Sequence, residues 1–367
     1  MNKKSPLEFS DIAKCISGLF CVALEASIDY PGNNEGDIQT VSPHNRITIS
    51  KGTQLVLNPE IQAWQYHIKR HDWLVTPEGN PRGYIQPHSL RELWFHTGTR
   101  CNLGCWFCLE GAGPQVERLE SLTFEDVRPL IDEAMALGVE QFCFTGGEPF
   151  VNHDIIAILE YALKNRPCLV LTNGTRPLRE RMEEVRRLAG LSNKLRFRVS
   201  LDHPDRERHD EGRGHGSFAL ALESLIELRR AGFELSIARH ITPDENAAEV
   251  NKQYRSIFRQ TGLPLDTNII PFPQLHRPFD RIETPHITEN CMTTYKDETT
   301  RREFMCAYSK MVVKREGKVK VYACTLVDDD PDYDLGTTLH ESMKFRIMLK
   351  HHRCYACFAA GACCSEN

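Results

Sequence analysis

The chain has 367 residues, a formal net charge of −5 and 41% hydrophobic residues. That length buries a substantial core without disulfide staples, and the mild acidity, with no long basic run, argues against nucleic acid as the main partner. The amino-terminal apolar stretch is interrupted by Asp11, Lys14 and Glu25, which makes it too polar for a signal peptide or a bilayer span. The expectation is a cytoplasmic protein whose 14 cysteines serve metal binding instead of a disulfide framework.

Residues 1–90 have a mixed pattern, with only a weak strand–helix alternation over 45–75, and form an extension whose role stays open. A regular rhythm starts at residue 91. A strand-like run at 91–97 is followed by a predicted helix over 122–138. Thr123 is its N-cap with Asp126 at the third helical position, and Val127, Leu130, Ile131, Ala134 and Leu137 form its apolar face. Strands are expected at 139–147, 167–174, 195–202, 233–242 and 264–272, with helices at 154–165, 178–190, 217–232 and 244–262 between them. Strands that alternate with crossover helices imply a parallel sheet, open or closed into a barrel. Six such units fall short of the eight of a full barrel. Cys143 and Cys168 lie inside apolar runs and read as small buried hydrophobes.

Chemistry in such sheets gathers where the strands end. The stretches that follow the first four strands are "TRCNLGCWFCLEG" (99–111), "TGGEP" (145–149), "TNG" (172–174) and "SLD" (200–202). Cys101, Cys105 and Cys108 supply three thiols within eight positions. A structural zinc site wants four ligands, usually as two pairs, whereas an iron–sulfur cube with three cysteine ligands keeps one iron open.

After residue 272 the rhythm stops. A proline-rich stretch leads to a β-hairpin turning near Gly317 and ending at Cys324. A second cysteine group follows this pattern: Cys306, Cys324, Cys354, Cys357, Cys363 and Cys364.

The spacing Cys101–x3–Cys105–x2–Cys108, with Phe107 before the third cysteine, resembles the signature of the radical S-adenosylmethionine (SAM) superfamily. "TGGEP", one strand later, resembles that family's glycine–glycine–glutamate–proline motif. The resemblance covers about 91–271 and implies an α/β fold, a partial (β/α)6 barrel over 91–275. It also implies a [4Fe-4S] cluster on Cys101, Cys105 and Cys108 whose open iron is chelated by SAM. Reduction then cleaves SAM to a 5′-deoxyadenosyl radical, which takes a substrate hydrogen atom. By position in the motifs, Gly146, Gly147 and Glu148 belong to the SAM site. So do Asn173, Ser200 with Asp202 nearby, Arg213 or Arg239 toward the SAM carboxylate, and Phe107 toward adenine.

Cys306, Cys324, Cys354 and Cys357 resemble the family's twitch appendage, a half-size SPASM domain, which holds an auxiliary [4Fe-4S] cluster. This gives a small hairpin-plus-helix domain over 276–367. A two-cluster version would have to recruit Cys291, Cys363 and Cys364. A zinc site is the alternative here, with His351 or His352 as further ligands against a solvated helix end. An electron-accepting cluster near a substrate radical favours net oxidation.

The expected function is a radical SAM oxidoreductase acting on a ribosomally made peptide. The alternative is dehydrogenation of a small alcohol of sugar or aminocyclitol type. The third reading is a non-catalytic, zinc-stabilised binding protein. The implied partners are the substrate and an electron donor such as flavodoxin or ferredoxin, with no nucleic acid and no membrane. His203, His209 and His215 are placed in a loop over the rim, where they could face substrate.

Overall fold

The structure is a computed structural model that describes residues 38–41, 46–49, 71–241, 245–272 and 275–361. The chain divides into two compact units, Met1–Leu57 and Asn58–Asn367. In the first, β1 (Ile38–Val41) pairs antiparallel with β2 (Arg46–Ile49). Most of the weak pattern expected over 45–75, and Cys15, Cys21, Cys363 and Cys364, lie outside the described residues.

Residues 71–90 pack with the carboxy-terminal part of the second unit. The two-residue strand β3 (Tyr84–Ile85) pairs antiparallel with a partner at Ile347–Met348, and the Trp73 ring meets the edge of Tyr333 at 5.0 Å. Six strands then follow in chain order: β4 (Glu92–His96), β5 (Gln141–Thr145), β6 (Cys168–Thr172), β7 (Leu195–Ser200), β8 (Glu234–His240) and β9 (Asn268–Phe272). Each pairs in parallel with the next. The sheet stays open, so the architecture is the partial barrel expected from the alternating pattern.

The helices α1 (Phe124–Ala136), α2 (Ile155–Asn165), α3 (Met182–Leu188), α4 (Arg206–Arg213), α5 (Ser217–Arg230) and α6 (Ala247–Thr261) run between the strands. The predicted capping box of α1 forms, with the Thr123 side chain accepting from Asp126 N and Asp126 accepting from Thr123 N. Side chains alternate across each strand. Phe95, Phe142, Phe144, Val170 and Phe197 join the helices in one core. Trp94, Cys143 and Leu169 face a second core shared with the carboxy-terminal segment. Cys143 and Cys168 are fully buried, as expected.

Two local expectations are corrected. The helix predicted over 178–190 is interrupted at Arg181, which is not helical and whose guanidinium donates to Asn152 O at 2.9 Å. The segment carrying His209 is not a loop but α4, capped by the Asp205 side chain accepting from Arg208 N at 3.0 Å. Its residues are almost all charged, so no apolar stripe announced it.

The carboxy-terminal hairpin continues the same sheet. β10 (Ser309–Arg315) runs parallel to β4, and β11 (Lys318–Tyr322) pairs antiparallel with β10. Its turn is the two residues Glu316 and Gly317, both with positive φ (52° and 70°), the conformation of a type I′ hairpin. β12 (Ile347–Met348) leads to the last described helix, α7 (His352–Ala360). Among the described residues no helix is long and apolar enough to cross a membrane.

Candidate functional site

The parallel register puts the ends of β4 to β8 on one rim, and the loop after β4 carries the three cysteines. Cys101, Cys105 and Cys108 are partly buried and line one cavity of about 170 Å³ together with Gly146, Gly147, Asn173, Ser200, Asp202, Arg213 and Phe107. All the residues assigned to cofactor binding from the sequence lie on this wall except Glu148.

The cysteine loop is held by its own backbone. Cys101 N donates to Gly113 O at 3.1 Å and Cys108 N to Cys105 O at 3.2 Å. Backbone N–H groups also point at the sulfurs: Leu103 N lies 3.4 Å from Cys101 Sγ, and Ala112 N lies 3.4 Å from Cys108 Sγ. The Asn173 amide reaches Cys101 Sγ at 3.7 Å and Asn102 Oδ1 at 3.0 Å. Donors aimed at sulfur are the contacts that tune a thiolate-bound cluster. Burial pushes the Cys101 thiol up to about 12 and raises Cys105 as well, so metal binding there must displace protons.

"TGGEP" presses against this loop. Gly147 N donates to Gly98 O at 2.8 Å and Glu148 N to Arg100 O at 3.1 Å. A Cβ on Gly147 would come within 2.2 Å of Arg100 O, and one on Gly146, at φ +148°, within 2.7 Å of Thr97 Oγ1. The glycines therefore admit the cysteine loop itself, which the sequence reading had not anticipated. Glu148 is buried and turned inward. It accepts from Thr172 Oγ1 at 2.8 Å, Asn173 N at 2.8 Å and Phe150 N at 3.2 Å. It braces the β5 loop against β6, and burial pushes its carboxyl up to about 7.

On the far wall Asp202 and Arg213 form a two-pronged ion pair, with Arg213 Nη2 at 3.2 Å from Asp202 Oδ1. Burial opposes the charge on Asp202, but the guanidinium wins and holds its carboxyl below the usual range. Phe107 stacks on His240 with centroids 5.1 Å apart, and the Arg213 guanidinium lies 5.5 Å over its ring. The ring also leans on α4, where a Cβ on Gly212 would sit 2.6 Å from it.

His203 and His209 are buried beneath this wall and spent on backbone. Their Nδ1 atoms accept from Asp205 N at 2.9 Å and from Asp202 N at 3.1 Å. His215 is exposed, and none of the three lines the cavity. The lining also includes Arg239, the sequence's alternative to Arg213, and two residues that the motifs did not mark, Glu110 and His240. Buried His96 Nε2 meets Glu110 Oε2 at 3.1 Å, and Gly98 N donates to His96 Nδ1 at 3.2 Å. Burial opposes the Glu110 charge, yet the His96 hydrogen bond keeps its carboxyl low. Arg239 pairs with Glu245 at 2.5 Å. Fourteen residues separate His96 from Glu110, so only the fold brings them together.

Cys306, Cys324, Cys354 and Cys357 line a second, small cavity. The antiparallel hairpin brings Cys306, just before β10, to the same end as Cys324, just after β11, and α7 brings the last pair. Leu326 belongs to the walls of both cavities. Burial pushes the Cys354 thiol up to about 12 and drives Cys306 well above its ordinary value. His351 is not at a solvated helix end. It is buried and caps α7 by accepting from Arg353 N at 3.1 Å, with Nε2 3.2 Å from Asp329. Neither His351 nor His352 lines the four-cysteine cavity. Cys291 sits apart, accepting from Thr288 Oγ1 at 3.2 Å. Among the described residues no three His, Cys, Asp or Glu side chains are grouped as the ligands of a single metal ion. The donor chemistry fits iron–sulfur clusters at both places: three thiols on the wall of the rim cavity that also carries Asp202 and Arg213, and four thiols on the wall of a small apolar cavity.

Comparison with known proteins agrees with this geometry. The profile described as the radical SAM superfamily matches residues 95–257. The chain is 33% identical over 156 residues to the AdoMet-dependent heme synthase of Methanosarcina barkeri, covering 42% of this chain and 43% of that one. It is 30% identical over 205 residues to the antilisterial bacteriocin subtilosin biosynthesis protein AlbA of Bacillus subtilis, covering 55% and 43%. The chain thus spans less than half the length of these curated relatives. The crystal structure of Streptococcus suis SuiB bound to its precursor peptide SuiA superposes with a TM-score of 0.54 at 12% identity, over 92% of this chain and 76% of that one. That likeness is one of fold. Motifs, partial barrel and profile coincide on the same residues, and the stretch 95–257 is a radical SAM domain.

Proposed function

We propose that this chain is a cytoplasmic radical SAM enzyme that oxidises a ribosomally made peptide, with one auxiliary cluster beside its active site. The supporting observation is that the three-thiol cavity and the four-thiol cavity share the Leu326 wall. Cys101, Cys105 and Cys108 would hold the first [4Fe-4S] cluster and leave one iron for SAM. Arg213 and Ser200 would face the SAM carboxylate and ribose, while Phe107 walls the adenine side. Asn173 steadies the first thiolate. With both cofactors bound, the chemistry supplied is one-electron cleavage of SAM to a 5′-deoxyadenosyl radical that removes a substrate hydrogen atom.

Four protein thiolates leave no open iron in the second pocket, so Cys306, Cys324, Cys354 and Cys357 would carry an electron acceptor. An acceptor one side chain away from the substrate cavity suits net oxidation. The first electron would come from a donor of flavodoxin or ferredoxin type. The peptide reading draws on the named roles of two relatives: SuiB was solved with a precursor peptide, and AlbA is named for bacteriocin biosynthesis. Oxidation of a small alcohol is the second reading, because the cavity has only about 170 Å³ of space and apolar walls at Trp94, Leu171 and Phe272.

The test is SAM turnover by anaerobically reconstituted, dithionite-reduced protein. The wild type is expected to release 5′-deoxyadenosine. Replacing Cys101, Cys105 and Cys108 together by alanine should abolish release and lower iron from about eight to about four per chain. Release that survives the triple replacement defeats the assignment. Deuterium carried into 5′-deoxyadenosine from a labelled peptide, and not from labelled aminocyclitols or sugars, would separate the two substrate readings.

A further inference from the structure

Two buried cations, Lys310 and Arg353, stand beside the four-cysteine pocket; among the described residues neither forms a salt bridge, although Arg353 is near enough to Glu110 and Asp329 to help hold their carboxyls low. Lys310 on β10 is 0% exposed. Its ammonium donates to Cys306 O at 3.2 Å and to Ser309 O at 3.0 Å. The titratable groups nearest to it are the Cys306 and Cys324 thiols. Arg353 is 2% exposed and lines the pocket. It donates to Leu326 O at 3.2 Å, to His276 O at 3.0 Å and to Leu109 O at 2.8 Å.

A fully buried ammonium satisfied only by carbonyl dipoles is a costly arrangement. Folded proteins accept it where an anion completes the site. Here the surroundings are apolar, with Phe304, Met305, Val327, Ile347 and Leu349 on the cavity wall. Four thiolates on an iron–sulfur cube leave a net negative charge, and one-electron reduction adds another. In a low-dielectric pocket a fixed cation stabilises the reduced form more than the oxidised one.

We propose that Lys310 is a positioning residue for the auxiliary cluster: with Arg353 it compensates the cluster's negative charge and holds its reduction potential high enough to accept an electron from the neighbouring cavity. Arg353 also ties the pocket to the cysteine loop, since Leu109 directly follows Cys108. This inference rests on the reading of the second pocket as a cluster site.

The experiment uses the full chain with Cys101, Cys105 and Cys108 replaced by alanine, so that only the auxiliary cluster remains. Its potential is followed by EPR during a mediated reductive titration, in this background and in the same background with Lys310→Met. The neutral side chain should lower the equilibrium constant for one-electron reduction at least tenfold, a shift of about 59 mV to more negative potential. Iron should also leave faster when a chelator is added. Lys310→Gln, which keeps a donor for the Cys306 carbonyl, should give the same shift and covers the case in which the methionine variant does not fold. A cluster that forms in the background chain but keeps its potential and its iron in both variants overturns the role of Lys310 alone. A background chain that binds no iron, or binds zinc, overturns the cluster reading and the inference together.

Discussion

Gly147 works by lacking a side chain where the loop after β5 meets the loop after β4; a methyl there would press on Arg100 O at 2.2 Å. Glu148 then locks the junction with three accepted hydrogen bonds from β6 and its own turn. Because burial raises its carboxyl from 4.5 to about 7, folding favours the protonated acid. Its contribution to stability is complete below pH 4.5 and is lost as pH rises to about 7. In cluster-free protein, wild type should therefore lose about 3 kcal/mol relative to Glu148→Gln between pH 4.5 and 7.5. Denaturant melts of both proteins at the two pH values check this; a constant difference would show that the carboxylate is already ionised and well solvated by its donors. At this scale the sequence was readable where a residue type has few alternative uses. Three close cysteines announce a metal, and the "GGEP" stretch announces a tight turn. Glu110, His96, His240, Lys310 and Arg353 were silent, since each acquires its meaning from a partner that only folding supplies. The histidines of "SLDHPDRERHD" misled for the same reason: their polar nitrogens cap backbone at Asp202 and Asp205 instead of facing the cavity.

Among the elements, the strand–helix alternation from β4 to β9 could be read because β5 and β6 are apolar runs, β7 alternates apolar and polar residues, and helices with an apolar face recur between the strands. α4 could not, because a short, charged helix held by one Asp cap has no hydrophobic period. The hairpin's turn was visible at Gly317, yet its place was not: hydrophobic residues on β10 fit a separate small domain as well as an added strand of the main sheet. The structure pairs Ser309 to Val312 with Glu92 to Phe95, which is what brings the second cysteine group to the barrel. Glu316 carries a positive φ of 52° in that turn, a cost for a residue other than glycine or asparagine. Glu316→Asn should stabilise the protein by about 0.5–1 kcal/mol, measured as a higher unfolding midpoint with an unchanged denaturant slope. A loss of stability would mean that the turn does not adopt the type I′ form in solution.

At the scale of the whole molecule, the account rests on how the parts are arranged. The rim loops of a parallel sheet gather three thiols on the wall of one cavity. The added hairpin and α7 gather four more, one side chain away across Leu326. The central claim is that the three-thiol cluster has a vacant corner that SAM fills, while the four-thiol cluster does not. EPR of the reduced protein with and without SAM tests it directly when each cysteine set is removed in turn. With Cys306, Cys324, Cys354 and Cys357 replaced by alanine, the remaining signal should change shape on adding SAM. With Cys101, Cys105 and Cys108 replaced, SAM should leave the signal unchanged. A three-cysteine cluster whose spectrum is indifferent to SAM would mean that its fourth corner is already taken, and would contradict the account.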